Sequence, residues 1–483
     1  MNLTIMKKYI AILMAVLFSS CADLDRYPLN AIGEPQFWSS SDDAVLGING
    51  VYNVLAHNHM YRDFMRHSDA IGDNAYSQYS FNYYLEISEG RGYDASSVWP
   101  LNFWKKSYEG IVRANEVLEN VPDITMDEAT KSRILAEAHF LRALFYFHLT
   151  NLYGDVPLVL TKQTIGESLV ARDPKATIVT QILNDLTLAA SILPDSYGPS
   201  NLGRATKGAA LTLKSRVHLY NKQYAEAIST ANEVIALGYD LLPQSSYKDM
   251  FLPTLENNAV ESIFEVQFLG KSGTSGVGSS FNSNSGATPS FGGASYSPIQ
   301  ELIDAYEPGD IRRNVTVLEP GQTFAGLAFD PVRSPTGYAL IKGVIPDVTI
   351  TDDGDANFVV MRYAEVLLNL AEAENELNGP TTIVYNAINE IRNRVNLLDL
   401  PGGMSQEEMR IAIKKERRLE LAFEGHRYFD LLRYGSADLK ASMESVTSVQ
   451  GHERIYNDRL LQWPVPQNEI NIDQNLLPQN SGW

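Results

Sequence analysis

Apolar residues recur at helical spacing over much of the chain. Ala44, Ile48, Val51 and Leu55 step by four, three and four, which lays them on one face of a helix. Ser39 to Ser41 can cap its start, and Asp42 and Asp43 fall in its first turn, where a helix favours negative charge. Ile134, Ala138, Leu141, Phe145 and Leu149 form a second stripe, stopped by Gly154 and Pro157. The clearest unit is residues 204–238. Ala210, Leu213, Val217 and Tyr220 make one stripe, Asn221 to Gln223 break it, and Tyr224, Ala227, Ile228, Ala231, Val234 and Ile235 make the next. Two amphipathic helices in about 34 residues are the signature of a tetratricopeptide-like hairpin. A second pair reads at 360–396, with Tyr363, Val366, Leu367, Leu370 and Ala371 before Gly379-Pro380 and Ala387, Ile388, Ile391 and Val395 after it. The pairs are separated by other material, so the pattern predicts helix pairs carrying inserted loops, not an open solenoid.

The helical period lapses in two long stretches. From Tyr61 to Pro100 the chain is aromatic, with Gly and Asn interspersed, and is too apolar to be left in water. Residues 240–358 form an insert that opens with β-prone pieces such as Ser262 to Phe268 and continues through a Gly-, Ser- and Asn-rich run. Residues 401–435 return to helix, and the tail is irregular. The expected fold class is therefore mostly α: a tetratricopeptide-like helix-pair scaffold with large irregular loop insertions and minor β pieces.

The N-terminus changes the picture. Lys7 and Lys8 precede an apolar run from Tyr9 to Phe18, and Ser19-Ser20 lead into Cys21, the single cysteine of the chain. That is a secretory signal in charge and length, too short to span a bilayer. Its small-small-Cys ending resembles a bacterial lipoprotein signal, with Cys21 as the lipidation site. Residues 1–20 are then the signal peptide, 21–40 a lipidated tether and 41–483 a single body. One cysteine precludes an internal disulfide framework and a multi-thiolate zinc site. With 44% hydrophobic residues, the 483-residue chain has ample material for a core. Thirty-nine basic against 58 acidic side chains leave a net charge of −19, so nucleic-acid binding is not expected.

Motifs of catalysis are scarce. The chain shows no P-loop, HExxH pair, GxSxG elbow or convincing dinucleotide fingerprint. Two carboxylates suffice for glycoside hydrolysis, but 58 acidic residues offer many false pairs. His57 and His59 read as loop residues in preference to a metal site. No cofactor is expected, although Asp353, Asp355 and Asn357 alternate as in a calcium loop and leave calcium as the alternative to a solvated acidic turn. The aromatic stretch is the strongest site candidate, because sugar rings present apolar faces bordered by hydroxyls and call for flat platforms beside polar side chains. Trp99, Tyr83 and Tyr76 are the candidate platforms, and Asp73, Asn74 and Asn102 the hydrogen-bonding partners. Trp104, at helical spacing with Tyr108 and Ile111, reads as core. Residues 414–435, KKERRLELAFEGHRYFDLLRYG, read by themselves as an ion-paired helix, with Glu416, Arg417, Arg418, Glu420 and Glu424 facing one another or water.

That same segment resembles the C-terminal signature of the SusD/RagB family, outer-membrane lipoproteins of Bacteroidetes nutrient-uptake systems. MRYAEVLLNLAEAENELNG with AINEIRNRV at 361–395, AEAHFLRALFYFHLTNLYGDVPLV at 136–159 and LLQWPVPQNEINIDQNLLPQN at 460–480 extend the resemblance in order along nearly the whole mature chain. It implies four tetratricopeptide-like helix pairs, a loop-rich ligand-binding face and no catalytic step. It also implies a partner, a SusC-like TonB-dependent transporter, and a place in the outer membrane, lipid-anchored and facing the cell exterior. Ligands of such proteins are met by N-terminal loop aromatics and by a loop of the central insert, which adds Phe291 and Tyr296 to the candidates. The expected function is capture of oligo- or polysaccharide for import. A peptide or glycopeptide ligand is the alternative within the family, and a glycoside hydrolase the alternative outside it.

Overall fold

A computed structural model describes residues 37–77, 84–164, 166–252, 260–274, 278–281, 285, 296–345 and 352–483. Cys21 and the expected signal peptide, residues 1–20, lie outside the described residues. Helix α1, Ser41–Leu55, starts where the sequence predicts it: the Ser40 hydroxyl accepts the Asp43 N–H at 3.3 Å, and Ala44, Ile48, Val51 and Leu55 are buried. Helix α2, Val98–Asn120, begins earlier than its periodicity suggests and takes Trp99 and Pro100 into its first turn. Helix α3, Glu128–Tyr153, is capped by Asp127 and ends at Gly154. It is buried almost all round, because α1, α2 and the next helix, α4 (Lys175–Ile192), all pack on it. At the α2–α3 crossing Gly110 lies against the Phe145 ring so closely that an added Cβ would stand 2.2 Å from Phe145 Cε2.

The pair predicted at 204–238 is α5 (Lys207–Tyr220) and α6 (Tyr224–Ile235), and the pair at 360–396 is α7 (Tyr363–Asn378) and α8 (Thr382–Arg394). Each helix from α1 to α7 packs on its successor, and this includes α6 on α7 across the whole insert. The ends of the insert meet in an antiparallel ribbon that allows this: β1 (Ser262–Val266) pairs with β2 (Phe358–Arg362). The C-terminal helical region is divided into α9 (Gln406–Glu420), with a Ser405/Glu408 capping box, α10 (Arg427–Tyr434) and α11 (Ser436–Ser445). Gly425 sits in the bend before α10 at φ +79°, and a Cβ there would lie 2.9 Å from the Met65 carbonyl, so both backbone and space require glycine.

The aromatic stretch is anchored to the insert. Its strand Ala75–Ser77 pairs antiparallel with Tyr296–Pro298, with Ser77 opposite Tyr296. Trp104 is buried as expected, against Tyr108 and Tyr153. Among the described residues no helix is long and apolar enough to cross a membrane.

Candidate functional site

The two regions chosen from sequence are brought together by the Ala75–Ser77 ribbon, but their described aromatic side chains point inward. Trp99 is only 2% exposed, with its ring 4.9 Å from Phe64 and 5.5 Å from His59. Tyr76 is 5% exposed and packs with Ile299 and Val446, and Tyr296 is 1% exposed between His67 and Phe423. None of the three presents a face on which a sugar could stack. The correction has a simple cause: each aromatic residue buries roughly 150–250 Å², and a loop crossing the helical body gains more by covering it than by facing water. Tyr83 and Phe291 lie outside the described residues.

The polar candidates are structural as well. Asp73 accepts from Arg427 Nε and Nη2 at 2.8 and 2.9 Å and lies 3.3 Å from Arg418. Burial alone would raise its carboxyl, but Arg427 and Arg418 outweigh burial and hold it below the ordinary value. Asn74 is fully buried; it donates to Asp69 at 3.1 Å and accepts from Arg418 Nε at 2.8 Å. Asn102 is half-buried, its amide 2.9 Å from His59 Nε2. Burial, with help from His57 and Lys106, pushes His59 down to about 4, so its ring is neutral at pH 7. His57 Nδ1 accepts the His59 N–H, and among the described residues no group of three or more His, Cys, Asp or Glu is placed to hold a metal ion. Asp353 is surrounded by donors, the Ser272 and Gly273 N–H groups and the Ser272 hydroxyl, and Asp355 pairs with Lys271.

Lys415 apart, the charged C-terminal signature is turned away from water. Glu420 binds Arg312, Arg362 and Arg394, and Glu424 binds Lys342 and Arg362, all buried. Arg417 reaches Asp430 and Asn369, while Arg418 and Arg427 hold Asp73. The expectation of an ion-paired surface helix is thereby corrected: its partners lie on other elements, and the segment ties the N-terminal stretch and the insert to the helix pairs. Such a network is strongly destabilised when one member is removed, because the remaining charges stay buried.

A cleft of about 290 Å³ opens between α1, the loop joining α4 to α5, and the end of β1. Helix α1 places its apolar stripe inward and lines the cleft with Asn49, Tyr52, Asn53 and Ala56, which share one face at steps of three, one and three. Arg204 forms the opposite wall. Its Nη2 donates to Asn49 Oδ1 and its Nη1 to Glu137 Oε2, both at 2.9 Å, and its Nε to Asn201 at 3.1 Å. The Tyr52 hydroxyl accepts the Ala205 N–H at 2.9 Å. Burial, reinforced by Glu137, pushes that phenol well above 10, so it is a neutral hydroxyl. Gln267 closes the end and accepts from Asn357 at 2.9 Å. Glu265, the one carboxylate among the described residues lining this cleft, is bound by Ser262 and by Asn357. Amides, a phenol and a fixed guanidinium suit hydrogen bonding to hydroxyl-rich ligands. Sequence reasoning passed over these residues; the legible signal was the polar face of α1, with Asn49, Tyr52 and Asn53 at helical spacing.

Comparison with known proteins gives a consistent picture. Residues 260–483 match the model of the SusD family, and residues 40–219 match a second model described as starch-binding associating with outer membrane. Among curated proteins the chain is similar to the SusD-like protein P25 of Formosa agariphila, 28% identical with 96% of each chain covered. It is also similar to the starch-binding protein SusD of Bacteroides thetaiotaomicron, 25% identical over 77% of this chain and 76% of the relative. Among solved structures, a SusD-like protein of Bacteroides fragilis superposes with a TM-score of 0.81 at 29% identity, covering 95% of this chain and all of its own. A laminarin-binding SusD-like protein does so at 0.77 and 27% identity, covering 92% and 100%.

Proposed function

The chain belongs to the SusD/RagB family, and on that premise we propose that it is a cell-surface glycan-binding lipoprotein, without a catalytic step, that captures oligo- or polysaccharide and delivers it to a SusC-like TonB-dependent transporter. Cys21 is its lipid anchor in the outer membrane, and the body faces the cell exterior. The observation that carries the reading is the α1 cleft, where Tyr52, Asn49, Asn53, Arg204 and Gln267 converge. Tyr52, Asn49, Arg204 and Gln267 are neutral or internally neutralised and held by neighbours, which favours binding over chemistry. Relatives whose names state a ligand bind starch or laminarin, so the family context points to glycans first.

The test is affinity electrophoresis of residues 22–483 in gels containing polysaccharides, with released sugars assayed in parallel. Retardation by at least one polysaccharide without release of reducing ends is the expected result. The exposed Asn53 is the variant of choice, and Asn53→Ala should weaken binding by about 1 kcal/mol, the size of one hydrogen bond, while leaving the melting temperature unchanged. Product release would make the protein a hydrolase. Binding of peptides with no glycan bound would move it to the peptide-binding alternative.

A further inference from the structure

A second cleft, of about 360 Å³, lies on the far side of the Leu202-Gly203-Arg204 turn and shares those three residues and Glu265 with the first. Its walls carry Tyr197 and Tyr239, and its rim the exposed Val260. The two clefts are joined mechanically through one residue. The Ala205 N–H donates to the Tyr52 hydroxyl of the first cleft, and the Ala205 carbonyl accepts from the Tyr197 hydroxyl of the second at 3.0 Å. The partition between them is low because its middle residue is glycine. Gly203 has a φ of +84°, and a Cβ on it would collide with the Gln267 side chain at 2.4 Å, so the turn has no room for a taller residue.

Resting on the glycan-binding reading above, we infer that the two clefts act as one extended site in which an uncharged polysaccharide chain lies across the Gly203 turn, contacting both clefts at once and needing no chain end. Each cleft alone stands near the bottom of the roughly 300–1,000 Å³ range of ligand sites; together they reach its middle. Two weak contacts on one ligand reinforce each other through effective concentration, so affinity depends on chain length. The charge selection follows from the lining. Arg204 is the single cation among the described residues that line the two clefts, and its three nitrogens are bound to Glu137, Asn49 and Asn201. Asp195 and Glu265 line the site beside it. A uronate or sulfate entering there would be desolvated beside carboxylates, with no free cation among the described lining residues to receive it.

The test uses the purified full chain. A panel of neutral polysaccharides (starch, laminarin, xyloglucan, mannan) and acidic ones (alginate, polygalacturonate, chondroitin sulfate) is screened first. Oligosaccharides of two to eight units from the best neutral ligand are then titrated by calorimetry. The expected result is binding of a neutral glycan whose affinity rises at least about tenfold between three and six or more units. Ser196→Trp, on the exposed rim of the second cleft, should remove most of that gain and leave trisaccharide binding unchanged. A plateau at three units overturns the inference without any variant, and so does full retention of long-chain affinity in a folded Ser196→Trp protein. Selection of acidic glycans over neutral ones overturns it while glycan capture stands. Failure of every glycan to bind removes the glycan reading itself, and this inference with it.

Discussion

Replacing Asp73 by Asn separates a structural role from a ligand-binding one. The carboxylate takes two hydrogen bonds from Arg427 and a longer charge contact, at 3.3 Å, from Arg418, at side-chain exposures of 7% for Asp73, 12% for Arg427 and 14% for Arg418. The amide is nearly isosteric, so packing survives while two guanidiniums lose their counter-charge. Breaking a buried pair costs about 3–5 kcal/mol, and the partial exposure of both arginines, with the Asn74 contact retained by Arg418, puts this site near the lower figure. An unfolding entropy of about 2.1 cal/mol/K per residue makes a chain of this size lose about 1 °C per kcal/mol. The expected drop in melting temperature is therefore about 3 °C at pH 7, read by calorimetry or dye-based thermal unfolding. The pH dependence has a definite sign. Since the folded-state carboxyl is held below its ordinary value of 3.8, its contribution is present above that value and disappears as pH falls through the folded one. The gap between wild type and variant should thus narrow below pH 4. Glycan binding at 20 °C should be unchanged. An unaltered melting temperature together with lost binding would refute the reasoning and return Asp73 to the ligand site.

Two further outcomes test the packing and the buried charges. Gly110→Ala forces a methyl group into the Phe145 ring and should destabilise by about 1–3 kcal/mol, the usual cost of overpacking; adding Phe145→Leu should recover part of the loss in thermal unfolding. Asp69 is fully buried, and burial raises its carboxyl to about 6 despite the Phe423 N–H and Asn74. A raised folded value stabilises fully below the unfolded one and loses that stability as pH rises through 6. Asp69→Asn escapes this loss, so its stability relative to wild type should grow from pH 4 to pH 7 by on the order of 2 kcal/mol; a constant difference across that range would show that the carboxyl is ionised throughout.

Local spacing carried the helices. The steps of three and four in 204–238 and 360–396 are set by a helix of 3.6 residues per turn and by one buried face, and both act over a few residues. The caps at Ser40 and Asp127 and the stop at Gly154 are equally local. The C-terminal signature was legible as a family mark, and its charges as paired, but not with whom. Arg427 finds Asp73 354 positions away, a distance at which no periodicity operates.

Burial is the property that sequence alone left undecided. Trp99, Tyr76 and Tyr296 have the same composition whether they meet a sugar or a core, and hydrophobic gain is non-directional, so only the packing of the loop on the helices determines which. The candidate cleft shows the converse. Asn49, Tyr52 and Asn53 belong to a helix that sequence predicted, whereas Arg204 and Gln267 reach it from a turn and a strand end that are brought there by tertiary contacts. A helix pattern states which residues share a face; which segments close over that face depends on the long-range pairing of β1 with β2 and the stacking of α4 and α5, whose chain-entropy cost is repaid only in the folded whole.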